Sequence, residues 1–284
     1  MYLEHYGLKD LPFRITPDTS FFFKLASHHE ALNVLVVALR AGEGFIKITG
    51  EVGTGKTLLC RKLLNMLGDK FVTAYIPNPF LTPETLRMAL AEELGLRFPR
   101  NITQHELLQL ITSKLVALNA SGKRAVLCLD EAQALPQDSL EALRLLTNLE
   151  TEKRKLLQVV LFGQPELDIR LKNPAVRQLK QRITFSYELT PMGQRNVAAY
   201  IDYRLRVAGY KGSPLFTQRA VKDIHHASRG IPRLVNVLAH KSLMLGFGKG
   251  TYQVGRPQAR LAIRDTEGAH LDWRLRFMKL LFHT

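Results

Sequence analysis

Residues 45–57 read Phe45-Ile46-Lys47-Ile48-Thr49-Gly50-Glu51-Val52-Gly53-Thr54-Gly55-Lys56-Thr57, an apolar, strand-like run that passes directly into G-x-x-x-x-G-K-T. The residues after it, Leu58-Leu59-Cys60-Arg61-Lys62-Leu63-Leu64, carry apolar side chains at helical spacing. A strand, a glycine-rich turn and a helix in that order are the setting in which such a motif cradles phosphates. The glycines let backbone N–H groups turn inward, and the helix N-terminus adds its positive dipole end. The loop from Glu51 through Val52, Gly53, Thr54, Gly55, Lys56 and Thr57 to Leu58 is therefore expected to hold a nucleotide, ATP. Lys56 is expected to reach the β- and γ-phosphates and the Thr57 hydroxyl to bind Mg2+.

Further along, Ala125-Val126-Leu127-Cys128-Leu129 is apolar without alternation, as a parallel strand buried on both faces requires. It delivers Asp130-Glu131 at its C-terminal edge, where ligands bind in open α/β sheets. Phosphoanhydride hydrolysis needs one carboxylate for the metal's shell and a second to orient the attacking water. Asp130 suits the first role and Glu131 the second, although an acidic pair beginning a helix also serves as plain capping. Another apolar run, Leu157 to Gly163, ends on Gln164 before Pro165. An amide there is expected to sit between the two motifs and align the water; the alternative is an ordinary turn residue.

Strands are also expected at Phe71–Ile76 and Ile183–Leu189. Five strands separated by helices predict an α/β fold, a doubly wound core with a parallel sheet. Helices are expected at 83–95 and 104–118, with Thr82 and Thr103 as N-caps, and at 136–149. Ser27 with Glu30 three residues on reads as a capping box for an earlier helix. From Pro191 the pattern is all helix, at 193–208, 217–228 and 231–246, which predicts a separate helical domain. The expected division is 1–190, 191–250 and a basic tail, 251–284. Phe21-Phe22-Phe23 is expected to be covered, so residues 1–26 are assigned to the surface of the α/β domain.

The chain has 284 residues, 46% of them hydrophobic, enough for one large domain or two smaller ones. Its longest uncharged apolar run, Ala31 to Leu39, is far short of the roughly 20 residues that span a bilayer. Met1-Tyr2-Leu3-Glu4-His5 lacks the basic start and apolar core of a secretory signal, so a cytoplasmic location is expected. Cys60 and Cys128 read as small core residues, and His28-His29 and His225-His226 lack companions at ligand spacing. Net charge is +15, unevenly placed: residues 1–152 hold 16 basic against 17 acidic side chains, and residues 153–284 hold 24 against 8. The basic half is expected to face something anionic: nucleic acid, an anionic membrane, or the phosphates of a neighbouring subunit's nucleotide.

Taken together the motifs resemble the AAA+ ATPases, a P-loop NTPase family. The resemblance implies Mg2+-dependent ATP hydrolysis, a helical lid and a homo-oligomer completed by an arginine in trans. Gly230-Ile231-Pro232-Arg233-Leu234-Val235-Asn236 resembles the family's sensor 2 motif, which would place Arg233 on the γ-phosphate. Leu179-Lys180-Gln181-Arg182-Ile183 falls where the family carries its arginine finger, making Arg182 the candidate and Arg177 the alternative. Pro12-Phe13, Pro17-Asp18, His29-Glu30-Ala31-Leu32, Asp130-Glu131-Ala132-Gln133, Asn148-Leu149-Glu150-Thr151 and Phe162-Gly163-Gln164-Pro165-Glu166-Leu167 follow in order around the glycine-rich loop. That set is similar to the ExeA/GspA-type ATPases of type II secretion, and within them to the MshM type associated with the mannose-sensitive haemagglutinin (MSHA) type IV pilus. The ExeA type continues into a transmembrane helix and a peptidoglycan-binding domain; these 284 residues contain neither, so the short form is expected.

The resemblance implies pilus or secretion assembly proteins as partners, at the inner membrane. The core is also similar to transposition ATPases of the TniB type, which makes DNA binding the alternative; a nucleotide-gated switch with little turnover is the third reading. In the tail, Arg274, Arg276 and Lys279 interleave with Leu271, Trp273, Leu275, Phe277 and Leu280. Residues 270–282 are expected to form a basic amphipathic helix suited to an anionic membrane surface, or one docked on the lid or on a partner.

Overall fold

The computed structural model describes residues 2–150 and 155–269. In chain order the elements are α1 (Tyr2–Tyr6), α2 (Ala26–Ala41), β1 (Phe45–Thr49), α3 (Lys56–Met66), β2 (Phe71–Ile76), α4 (Pro83–Glu93), α5 (Gln104–Ala120) and β3 (Arg124–Leu129). They continue as α6 (Gln137–Leu146), β4 (Leu157–Gly163), α7 (Glu166–Arg170), α8 (Arg177–Arg182) and β5 (Ile183–Glu188), then the helices α9 (Gln194–Val207), α10 (Gln218–Ser228), α11 (Pro232–Gly248) and α12 (Arg256–Arg264). The five expected strands and the helices between them all form.

The strands make one sheet in the order β2-β3-β4-β1-β5, every pairing parallel. β1 and β4 are buried along their whole length and β3 from Ala125 onward, which is why the β3 run Ala125–Leu129 shows no alternation. β5 lies at an edge and is mostly exposed or half-buried. The polar residues inside this unit are held individually. Gln158 donates to the carbonyls of Leu39 and Glu43 (3.1 and 2.8 Å), and Lys47 pairs with Asp168. The capping predictions hold at Thr82 and at Thr103, whose box with Glu106 is complete. Ser27 differs: α2 already begins at Ala26, so Ser27 sits in the first turn instead of before it.

The described residues divide into two compact units, one drawn from Ala26–Glu51 and Lys56–Leu189, the other from Met1–Leu25, Val52–Gly55 and Thr190–Thr284. The expectation that residues 1–26 pack on the α/β domain is corrected here. Tyr2, Tyr6, Leu8, Phe13, Phe21 and Leu25 share a core with side chains of α9 to α12. Arg204 of α9 is the organising residue. It is 5% exposed, donates from Nε to the Pro12 carbonyl (2.5 Å) and from Nη1 to the Tyr200 hydroxyl (2.9 Å), and lies 4.8 Å from the centre of the Phe21 ring. An aromatic triplet asks for cover, but which surface supplies it depends on an arginine that reads, in sequence, as one more basic residue.

The tail boundary also shifts. Residues 251–269 belong to the helical unit, where α12 packs on α10 and α11 and Ala259, Ala262 and Ile263 are buried. Arg256 and Arg260, within the stretch expected to be a basic tail, both bind Asp223 of α10 (2.8 and 3.1 Å). The amphipathic helix expected at 270–282 lies outside the described residues. Among the described residues no helix is long and apolar enough to cross a membrane.

Candidate active site

β4 lies between β1 and β3, so the three strand ends that carry the sequence motifs emerge side by side at the C-terminal edge of the sheet. Gly50, leaving β1, donates its N–H to the Gly163 carbonyl that ends β4 (3.2 Å). Gly53 and Gly55 have φ of +85° and +98°, the left-handed region that lets successive N–H groups point to one side. Lys56 opens α3 and is 5% exposed; its Nζ donates to the carbonyls of Gly50 (2.7 Å) and Glu51 (3.0 Å). Burial pushes its pKa down, while the carboxylates of Glu131, Asp130, Glu51 and Glu166 oppose that shift.

One residue on, the Thr57 hydroxyl donates to Asp130 Oδ2 at 2.6 Å. Asp130 is 2% exposed, and burial raises its pKa above the ordinary carboxylate range against the opposing bonds from Thr57 and the Glu131 N–H. Tyr75 of β2 places its hydroxyl 3.4 Å from the same Oδ2, and burial beside that carboxylate lifts the phenol to about 12. A hydroxyl and a carboxylate set this close, with the charge buried, form an oxygen donor pair of the kind Mg2+ takes.

Glu131 has φ +53°, one of two non-glycine residues with positive φ among those described. Such a conformation costs on the order of 1–3 kcal/mol and persists where the surroundings hold it. They do so through amides: Glu131 Oε2 accepts from Gln133 Nε2 (2.5 Å) and Gln164 Nε2 (3.0 Å). Gln133 Oε1 in turn accepts from the Gln164 backbone N–H (3.0 Å), and its carbonyl accepts from Arg170 of α7. Gln164 thus reaches the carboxylate of Glu131 from the end of β4. Gln133 was not expected in this role. Its sequence signal is its place in Asp130-Glu131-Ala132-Gln133, a motif that carries the resemblance and assigns this side chain no role.

The remaining candidates are arginines. Arg233 is the second residue of α11, exposed at its side chain, and its N–H donates to the Gly53 carbonyl (3.1 Å). That N–H is one of the donors a helix start leaves without an internal partner, and the loop glycine satisfies it within the helical unit. A Cβ on Gly53 would lie 2.7 Å from Arg233 Cβ. Arg182 ends α8 and is half-buried; Arg177, at the start of that helix, is exposed. Among the described residues Arg182 makes no ion pair with Asp130 or Glu131. Cys60 and Cys128 are fully buried, the Cys60 thiol held well above its ordinary pKa by its bond to Cys128 and by burial.

An inner β1 carrying the phosphate loop, an acidic strand end at β3 and an amide at the end of β4 define an α/β P-loop NTPase fold of the AAA+ kind, with a helical C-terminal region. The family model described as "AAA domain" matches residues 39–171. The chain is 44% identical over 268 residues to General secretion pathway protein A of Aeromonas hydrophila, covering 94% of this chain and 49% of that protein. It therefore spans about half the length of the relative it matches. The fold is similar to the Aeropyrum pernix ORC2 protein, solved as ADPNP–ADP complexes (TM-score 0.65, 16% identity, 91% of this chain and 74% of that one). It is also similar to Cdc6p of Pyrobaculum aerophilum (TM-score 0.67, 19% identity, 87% and 70%).

Proposed function

We propose that the chain is a Mg2+-dependent ATPase whose nucleotide cycle does conformational work on a secretion or type IV pilus assembly. The observation that carries this reading is the 2.6 Å contact between Thr57 Oγ1 and buried Asp130, two hard oxygen donors beside a lysine-bearing phosphate loop. ATP and Mg2+ fit this donor set: Thr57 and Asp130 would hold the metal, which when bound would neutralise charge on the phosphate oxygens. Lys56 would exchange its two loop carbonyls for phosphate oxygens. Glu131 would orient and polarise the attacking water, with Gln164 and Gln133 fixing the carboxylate that does so. Arg233, whose N–H binds the loop carbonyl of Gly53, would read the γ-phosphate.

Relationship to a general secretion pathway protein supports the secretion setting, and the ordered motifs resembling MshM-type ATPases favour the pilus within it. Arg182 would act in trans, so turnover would require assembly. ATP turnover across a protein concentration series, with Lys56→Ala and Arg182→Ala beside the wild type, tests this. Turnover per subunit should rise with concentration and fail in both variants. Turnover independent of concentration and untouched by Arg182→Ala would remove the trans finger. Stimulation by duplex DNA and not by anionic liposomes would shift the setting from secretion to nucleic acid.

A further inference from the structure

The helical unit contains a groove of about 480 Å3 that the nucleotide chemistry does not use. It lies where α9, α10 and the link Pro214–Phe216 meet. Its floor is made of Ile201, Leu205, Leu215, Phe216 and Val221, all buried. It stays open because α9 presents Ala198 and Ala199 there, exposed residues too small to fill it. Its volume falls in the range of about 300–1,000 Å3 that accommodates apolar ligand groups.

The rim is cationic. Arg195 and Arg206 line it, with Asp202 as the one lining carboxylate among the described residues, bound by Arg206 at 3.0 Å. Arg219 and Lys222 are exposed beside Gln218 and Val221 on α10. Arg195, Arg219 and Lys222 make no ion pair among the described residues. Apolar floor and basic rim together select the occupant. A bilayer inserts convex apolar side chains, and these are recessed below the rim. A nucleic-acid backbone would leave the floor unfilled, since its phosphates require the cations alone. The chain's own last residues carry Arg274, Arg276 and Lys279 and would meet like charge.

We propose that this groove docks an acidic amphipathic helix of a partner protein, its apolar side chains at i, i+3 or i+4, and i+7 seated on the floor and its carboxylates against the basic rim. The site reads a partner without touching the phosphate loop, and the inference is independent of the hydrolysis assigned above.

A displayed random peptide library, panned on the full chain with an Ala199→Trp chain as counter-selection, tests it. Enriched peptides should combine apolar residues at helical spacing with Asp and Glu. A labelled peptide of that consensus should bind the Arg195→Glu chain at least tenfold more weakly, and the wild type more weakly as salt rises. Ala199 and Arg195 are both exposed, so neither change disturbs the core. Enrichment that survives the Ala199→Trp counter-selection, a basic or neutral consensus, or equal binding to Arg195→Glu would overturn the proposal. So would displacement of the probe by a synthetic peptide of residues 270–284, which would assign the groove to the chain's own terminus. Weaker self-association of the Ala199→Trp chain would assign it to a second copy, with the same consequence.

Discussion

Replacing Arg204 with methionine keeps an unbranched apolar stem and removes the guanidinium with its donors. Two short charge-assisted hydrogen bonds are lost, to the Pro12 carbonyl at 2.5 Å and the Tyr200 hydroxyl at 2.9 Å, each contributing about 1.5–3 kcal/mol, with a long third to the Arg14 carbonyl at 3.5 Å. The contact with the Phe21 ring adds about 0.5–2 kcal/mol. Against this, the folded chain no longer buries a guanidinium that has only neutral hydrogen-bond acceptors, which returns part of the sum. The net loss is about 3 kcal/mol, or roughly a hundredfold in a local opening equilibrium. Amide hydrogen exchange reads it where it should fall. The N–H of Lys9, bonded to the Ala208 carbonyl at 2.8 Å, should lose protection about a hundredfold, while amides of β3 and β4 keep theirs. A loss under threefold at Lys9, or an equal loss in β3, would refute the assignment of the N-terminal segment to the helical unit.

Three further outcomes follow from the site. Burial raises the Asp130 pKa in the folded chain, so the stability this group contributes is present below about pH 3.9 and lost as pH rises through the raised value. Asp130→Asn should therefore raise the thermal midpoint at neutral pH without nucleotide, and a gain that persists undiminished toward pH 4 would contradict the sign. Gln133→Ala removes one of the two amides on Glu131 and should lower kcat about tenfold with ATP affinity unchanged; a change in KM alone would assign Gln133 to binding. Gly53→Ala puts a Cβ at φ +85° and 2.7 Å from Arg233 Cβ. A cost of about 1–2 kcal/mol should weaken ATP binding roughly tenfold or more in a fluorescent-nucleotide titration, and unaltered affinity would show that the loop yields without cost.

The inner strands were legible because a parallel strand covered on both faces must be mostly apolar, and β1, β3 and β4 are, apart from Lys47, Thr49, Arg124 and Gln158. The phosphate loop was legible because its glycines serve a backbone conformation that few other residues adopt, and Gly53 and Gly55 take it. Gln164 could be placed from its position after a strand. Three things were not legible. Strand order is set by packing across the sheet, and nothing in the apolar runs puts β4 between β1 and β3. Gln133 acts through a side-chain amide whose partners are brought together only by the left-handed turn at Glu131. The N-terminal aromatics are placed by Arg204, distant in sequence from every ring and carbonyl it gathers except Tyr200.

The central claim is that Glu131, held at the end of β3 by two amides, activates water for ATP hydrolysis. Single-turnover hydrolysis by the Glu131→Gln chain, at ATP concentrations that saturate binding, tests it most directly. The account predicts that Mg2+–ATP still binds and that the hydrolytic rate falls by about two to four orders of magnitude. A rate within threefold of the wild type would contradict it and move the chemistry away from this strand end.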